Sequence, residues 1–235
     1  AGTESAMTVA YELVNPSNAE TKKWLENTIV ILDPCLNPDG FSRYGNWLRE
    51  VSGKKTHPGL SDREHMEVWP GGRYNHYIFD LNRDWAWQTQ PETQQRIALY
   101  NQWMPQVHTD VREMGYDSPY FVPPSAEPLH EYIEKYQKDF HYTLGKNISK
   151  KFDAQNWMYN TSERFDLFYP SYGDTYPTYN GAVGMTIEQG GIGAGRAITM
   201  SNGVIVTIED RIKHHATTVL TVVESAAAQA DVLLK

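Results

Sequence analysis

The sequence predicts an α/β domain, with a mixed, mostly parallel sheet between helices. Three observations carry this. Residues 28–32 (TIVIL) and 182–188 (AVGMTIE) are continuous apolar runs, suited to strands buried on both faces. Segments of helical period alternate with them, which places helices on both sides of a sheet. Polar clusters at 37–40, 80–84 and 188–190 follow strand ends, where open α/β sheets bind ligands.

In chain order, residues 3–14 place Met7, Ala10, Tyr11 and Val14 at helical spacing, with Thr3 as N-cap. A short helix over 19–26 follows, capped by Asn18. The strand at 28–32 stops at Asp33-Pro34, and Asn37-Pro38-Asp39-Gly40 is a strong turn signal. Residues 50–75 are polar and rich in Gly and Pro, as in a long surface loop. The apolar stretch 77–81 leads into Asn82-Arg83-Asp84-Trp85. A helix over 91–103 has Pro early and Ile97, Leu99 and Trp103 facing inward. Residues 107–111 alternate weakly, as a strand before Met114-Gly115. Residues 127–142 read as helix, and 166–181, full of Tyr, Pro and Gly, as an irregular loop. The strand at 182–188 ends at Gln189-Gly190-Gly191, and a long helix over 207–234 closes the chain. No internal repeat is visible.

A length of 235 residues fits one domain with a substantial core. The formal net charge of −8, with scattered Lys and Arg, argues against nucleic acid as a partner. No apolar run reaches the ~18 residues of a membrane span. Cys35 is alone, which excludes an internal disulfide framework and a cysteine-based zinc knuckle. The 7 Trp and 15 Tyr fit a large core better than a sugar- or peptide-binding surface.

Four segments carry a resemblance: LDPCLNPDGF (32–41), FDLNRDW (79–85), VHTDVREMG (107–115) and GMTIEQ (184–189). In this order they resemble the zinc metallocarboxypeptidases, closest to the bacterial branch with Asn-Arg-Asp-Trp and Glu-Met-Gly. The resemblance covers essentially the whole chain and implies removal of C-terminal residues from peptides. It implies a zinc-bound water as nucleophile, and Glu188 as the base that takes its proton. It also implies Asn82 and Arg83 as the clamp on the substrate's terminal carboxylate. Arg49, with Arg43 as its competitor, would polarise the scissile carbonyl. A tyrosine of the loop 166–181 would cover the substrate, with Tyr172, Tyr169 and Tyr176 as the candidates. On the residues alone, Arg83 between Asp80 and Asp84 equally suits a structural ion-pair network, and Glu188 a solvated strand end.

The pattern breaks twice. No His-x-x-Glu occurs in the chain, and the resemblance would put it immediately before Ala1. Residues 1–235 are therefore expected to be a single domain truncated at its N-terminal side, lacking its first strands. Second, Arg112 stands where the resemblance expects a histidine ligand, and arginine has no lone pair to offer a metal. His108 lies four residues back on the same strand face, roughly 13 Å away, which suits packing better than ligation. His130 and Glu134 fall short of a zinc motif because a second histidine is missing. The expectation is a carboxypeptidase-family domain without a competent zinc site, and hence inactive. Its alternative is a non-catalytic binder of peptide or cell-wall-peptide C-termini. An extracellular or periplasmic location follows from the resemblance alone.

Overall fold

Residues 1–235 are described by a computed structural model. The helices are α1 (Gly2–Val14), α2 (Ala19–Trp24), α3 (Pro38–Val51), α4 (Pro91–Trp103), α5 (Lys135–Gln155), α6 (Thr175–Tyr179), α7 (Ile208–Ala228) and α8 (Ala230–Leu233). The strands are β1 (Val107–Gly115), β2 (Tyr120–Phe121), β3 (Tyr159–Asn160), β4 (Val183–Ile192), β5 (Ala197–Thr199) and β6 (Ile205–Thr207). A mixed sheet has the order β1-β4-β2-β3, and β5 and β6 form a separate antiparallel pair. β1 and β4 run parallel along their whole length, in a register that sets Arg112 opposite Glu188. β2 and β3 are parallel, and β2 meets β4 antiparallel at Phe121 and Glu188.

The two faces of β4 have different tasks. Val183, Met185 and Ile187 point into the main core with Phe140, Leu144, Ile148 and Phe152 of α5 and Val222 of α7. Burying such side chains contributes about 1.5–3 kcal/mol each, so this face anchors the sheet. Gly184, Thr186 and Glu188 alternate onto the other face. There α4 and α6 supply the cover: Tyr100 and Tyr176 pack with Trp85 and the His108 ring. No helix is long and apolar enough to cross a membrane.

Several local expectations are corrected. α1 forms, but its inward face is Ser5, Val9 and Leu13, while Met7, Tyr11 and Val14 are exposed. Val9 and Leu13 pack on Ala216 and Val223 of α7, and that contact decides the face. Ala1, not Thr3, is the N-cap. Residues 28–32 form no strand: no backbone–backbone hydrogen bond joins them to a neighbour. Val30 and Leu32 rest on the α1–α7 cluster, while Ile29 and Ile31 face outward. Asn37-Pro38-Asp39-Gly40 opens α3 instead of a turn; Asn37 Oδ1 accepts from Gly40 N at 3.0 Å, and Pro38 takes the first position. In α4, Ile97 is buried but Leu99 and Trp103 are half exposed. α5 starts later than expected, because Gln137 Oε1 accepts from Glu134 N at 2.7 Å and fixes the first turn there. The closing helix breaks at Gln229 between α7 and α8.

Candidate functional site

The site lies at the ends of β1 and β4, on the face away from the main core. Arg112 projects from β1 and its Nε donates to Thr186 Oγ1 of β4 at 2.9 Å. The same Nε is 3.2 Å from Asp110 Oδ2 and 3.5 Å from Glu188 Oε1, and Nη2 is 3.9 Å from Asp174 Oδ2. Asp110, Asp174 and Glu188 are all buried. Three buried carboxylates thus share one guanidinium.

Burial sets the protonation here. It raises the Glu188 carboxyl to about 7, with Asp110 and Asp174 adding to the rise and Arg112 and Arg73 opposing it. Burial likewise raises Asp110 and Asp174, against the pull of Arg112. For Arg112 burial acts downward, but the three carboxylates outweigh it and hold the guanidinium charged.

A second layer of loops brings the 80–86 segment over this cluster. Asp80 caps a short 3-10 turn, Leu81–Arg83, by accepting from Asn82 N at 3.0 Å. Ser171 stitches that turn to the aromatic loop: its Oγ donates to Arg83 O and accepts from Ala86 N, both at 2.9 Å. Asn82 Oδ1 accepts from Gly173 N at 3.0 Å, while its Nδ2 is buried without a partner. Gly173 has no alternative here, because a Cβ would lie 2.5 Å from Asp110 Oδ2. Asn82, Gly173, Asp110, Arg112 and Glu188 are therefore one continuous assembly.

The cationic rim follows from the same loops. The Arg83 guanidinium stacks on the Tyr172 ring at 4.4 Å from its centroid. Its side chain is 42% exposed and its ion pair with Asp80 is long, at 3.7 Å, so it keeps donors for a ligand. Asp84 plays no part in that pair; its carboxylate accepts from Thr89 N, Thr89 Oγ1 and Gln90 N. Arg73 instead holds Asp80, through Nε at 3.0 Å and Nη2 at 2.6 Å.

The remaining candidates sort by their contacts. Arg49 is not brought to the cluster: its Nε donates to Gly45 O of its own helix at 3.2 Å. Arg43 ties the 71–75 loop down by donating to the carbonyls of Gly71, Tyr74 and Asn75. Tyr169 accepts from Trp87 Nε1, and Tyr176 packs on Trp85 and Tyr100, so Tyr172 alone of the three stacks on Arg83. His108 packs edge-on to Trp85 and Tyr100, and burial pushes its imidazole down to about 4. The motifs did not single out Arg73, Asp110, Asp174 or Thr186. The alternation of β1 was a usable signal for Asp110, which must share the Arg112 face.

The donor set does not fit a zinc ion. Zinc takes nitrogen, sulfur or oxygen lone pairs, and the group central to these carboxylates is a protonated guanidinium without one. No three His, Cys, Asp or Glu side chains are grouped to hold an ion.

The family model described as zinc carboxypeptidase matches residues 1–118 of the 235. Among solved structures, a metallo-carboxypeptidase from Burkholderia cenocepacia superposes with a TM-score of 0.64 at 14% identity. The match covers 98% of this chain and 53% of that one, so the chain spans about half the length of that relative. At this identity the likeness concerns the fold. A comparison with curated proteins finds no match.

Proposed function

Because the chain belongs to the zinc carboxypeptidase family, we propose that its cleft holds the C-terminal carboxylate of a peptide or cell-wall peptide without hydrolysing it. The observation that carries this reading is the Arg112 guanidinium seated among Asp110, Asp174 and Glu188. Removing a peptide's last residue requires an activated water beside a free base. A guanidinium cannot lower the pKa of a water as a metal ion does, and here it lies 3.5 Å from the carboxylate of the expected base.

Three observations support the binding half of this reading. Arg83 presents a planar fork on the Tyr172 ring, a geometry suited to two parallel hydrogen bonds to a carboxylate. Arg73, tethered to Asp80, adds a second positive charge at the rim. Asn82 is fixed beside them by Gly173. In this reading the terminal carboxylate meets Arg83, and Tyr172 closes over it.

Calorimetric titration with a short peptide and its C-terminally amidated form tests the reading. The free acid should bind, and amidation or Arg83→Ala should each weaken binding at least about tenfold, the loss of one charge-assisted pair. No hydrolysis should accompany binding. Equal affinity for acid and amide, or turnover by the unmodified chain at about 1–10³ per second, would sink it.

A further inference from the structure

We propose that a cavity behind the aromatic loop is a second binding site, for a cationic group of the alkylammonium or guanidinium class. Two sequence features not used by the carboxylate clamp converge there: the His130…Glu134 pair and the aromatic loop 166–181. Together they line a cavity of about 420 Å³, with His130, Tyr132, Glu134, Phe168, Pro170 and Tyr179 in its wall. That volume is within the range of small-ligand sites. The loop divides its side chains between the two sites: Tyr172 lies against Arg83, while Phe168, Pro170 and Tyr179 turn to the cavity.

The wall is an aromatic cluster centred on His130. Its ring lies 4.8 Å from Tyr132, 5.5 Å from Tyr179 and 5.9 Å from Phe168. Tyr132 is 73% exposed and Phe168 42%, so broad ring faces remain open to a ligand. Such faces carry negative potential and attract cations.

Charge points the same way. Glu134 is the only Asp, Glu, Lys or Arg in the wall. The adjacent cation, Lys135, is paired with Asp139 instead. Hydrogen bonding argues against a neutral sugar, because most polar groups of the wall are already engaged. Tyr136 Oη donates to Gly181 O and Tyr179 Oη to Leu167 O. The Gln137 amide donates to Thr178 O and Ala182 O, and the Thr178 hydroxyl is bonded to Asp174 O. Sugar hydroxyls would find few partners, whereas a cation needs only the ring faces and the Glu134 carboxylate.

The test is a calorimetric titration of the full chain with choline, its uncharged isostere 3,3-dimethylbutan-1-ol, arginine amide and chitotriose. Both cations should bind saturably, and the alcohol at least about tenfold more weakly than choline. Tyr132→Ala and Glu134→Gln should each weaken choline at least about fivefold, with circular dichroism unchanged. Arg83→Ala should leave choline binding as it was, which separates this site from the carboxylate clamp. Equal binding of choline and the alcohol would overturn the proposal. So would saturable binding of chitotriose without the cations, or loss of choline binding in Arg83→Ala.

Discussion

Glu188 shows how one side chain's surroundings set both its chemistry and its energetic cost. Its carboxyl is held near 7 against an ordinary value of 4.5, so the folded protein binds an extra proton between those limits. The sign follows. The group's contribution to stability is full below about pH 4.5, falls as pH rises through 7, and is flat above. The steepest part is about 1.4 kcal/mol per pH unit, and Asp110 and Asp174 push in the same direction. Glu188→Gln removes its share, so the variant should exceed the wild type in stability at pH 8 and the two should converge near pH 4.5. Urea unfolding at pH 5, 6, 7 and 8 measures this, and parallel pH profiles would show that Glu188 carries no raised value. At this scale the sequence was informative where a motif spoke: Asn82, Glu188 and Arg112 sit in one assembly, and Arg83 lies at its rim against Tyr172. It was silent on Arg73 and Asp174, whose convergence depends on loops crossing, whereas Asp110 was legible only through the alternation of β1 that sets it on the Arg112 face.

Two glycines in helices test the packing of whole elements. In a helix interior Gly→Ala ordinarily gains about 0.5–1 kcal/mol. At Gly45 of α3 a Cβ would meet only Arg49 Nη2, at 3.9 Å, so Gly45→Ala should show that gain. At Gly145 of α5 the same Cβ would lie 2.2 Å from Pro123 O, where α5 passes close to the backbone after β2. Gly145→Ala should therefore cost about 1–3 kcal/mol. Thermal unfolding of the two variants should move in opposite directions; a shift of Gly145→Ala to higher temperature would mean that α5 is not packed this closely. Elements were legible where their signals were local. Pro91 starts α4 and Asn18 caps α2 as the sequence indicates. They were illegible where two structures share one chemistry. Asn-Pro-Asp-Gly serves a turn or a helix start equally well, and only the helical run through Val51 decides for α3.

Over the whole molecule, the feature with most consequence is the run 28–32. Its composition is that of a buried strand, but a strand needs a neighbour, and composition cannot supply one. Here β1 has β4 on one side and no paired strand on the other, and residues 28–32 pair with nothing. The outcome is a β-branched, unpaired segment with Ile29 75% and Ile31 48% exposed. Exposed apolar segments with unmet backbone groups template association with other chains. Residues 1–235 in isolation should therefore self-associate with rising concentration, and Ile29→Lys should suppress this, since a charge on such a segment blocks edge pairing. Because Ile29 already faces outward, the change should alter folding stability by no more than about 0.5 kcal/mol. Val30→Lys is the contrasting case. Val30 packs on the cluster of Val9, Leu13, Ala216 and Val223, so a lysine there should lower stability as well. Static light scattering over a concentration series, with urea unfolding of each variant, separates the two effects. If Ile29→Lys leaves self-association unchanged, association proceeds through another surface; if it unfolds the protein as Val30→Lys does, Ile29 belongs to the core.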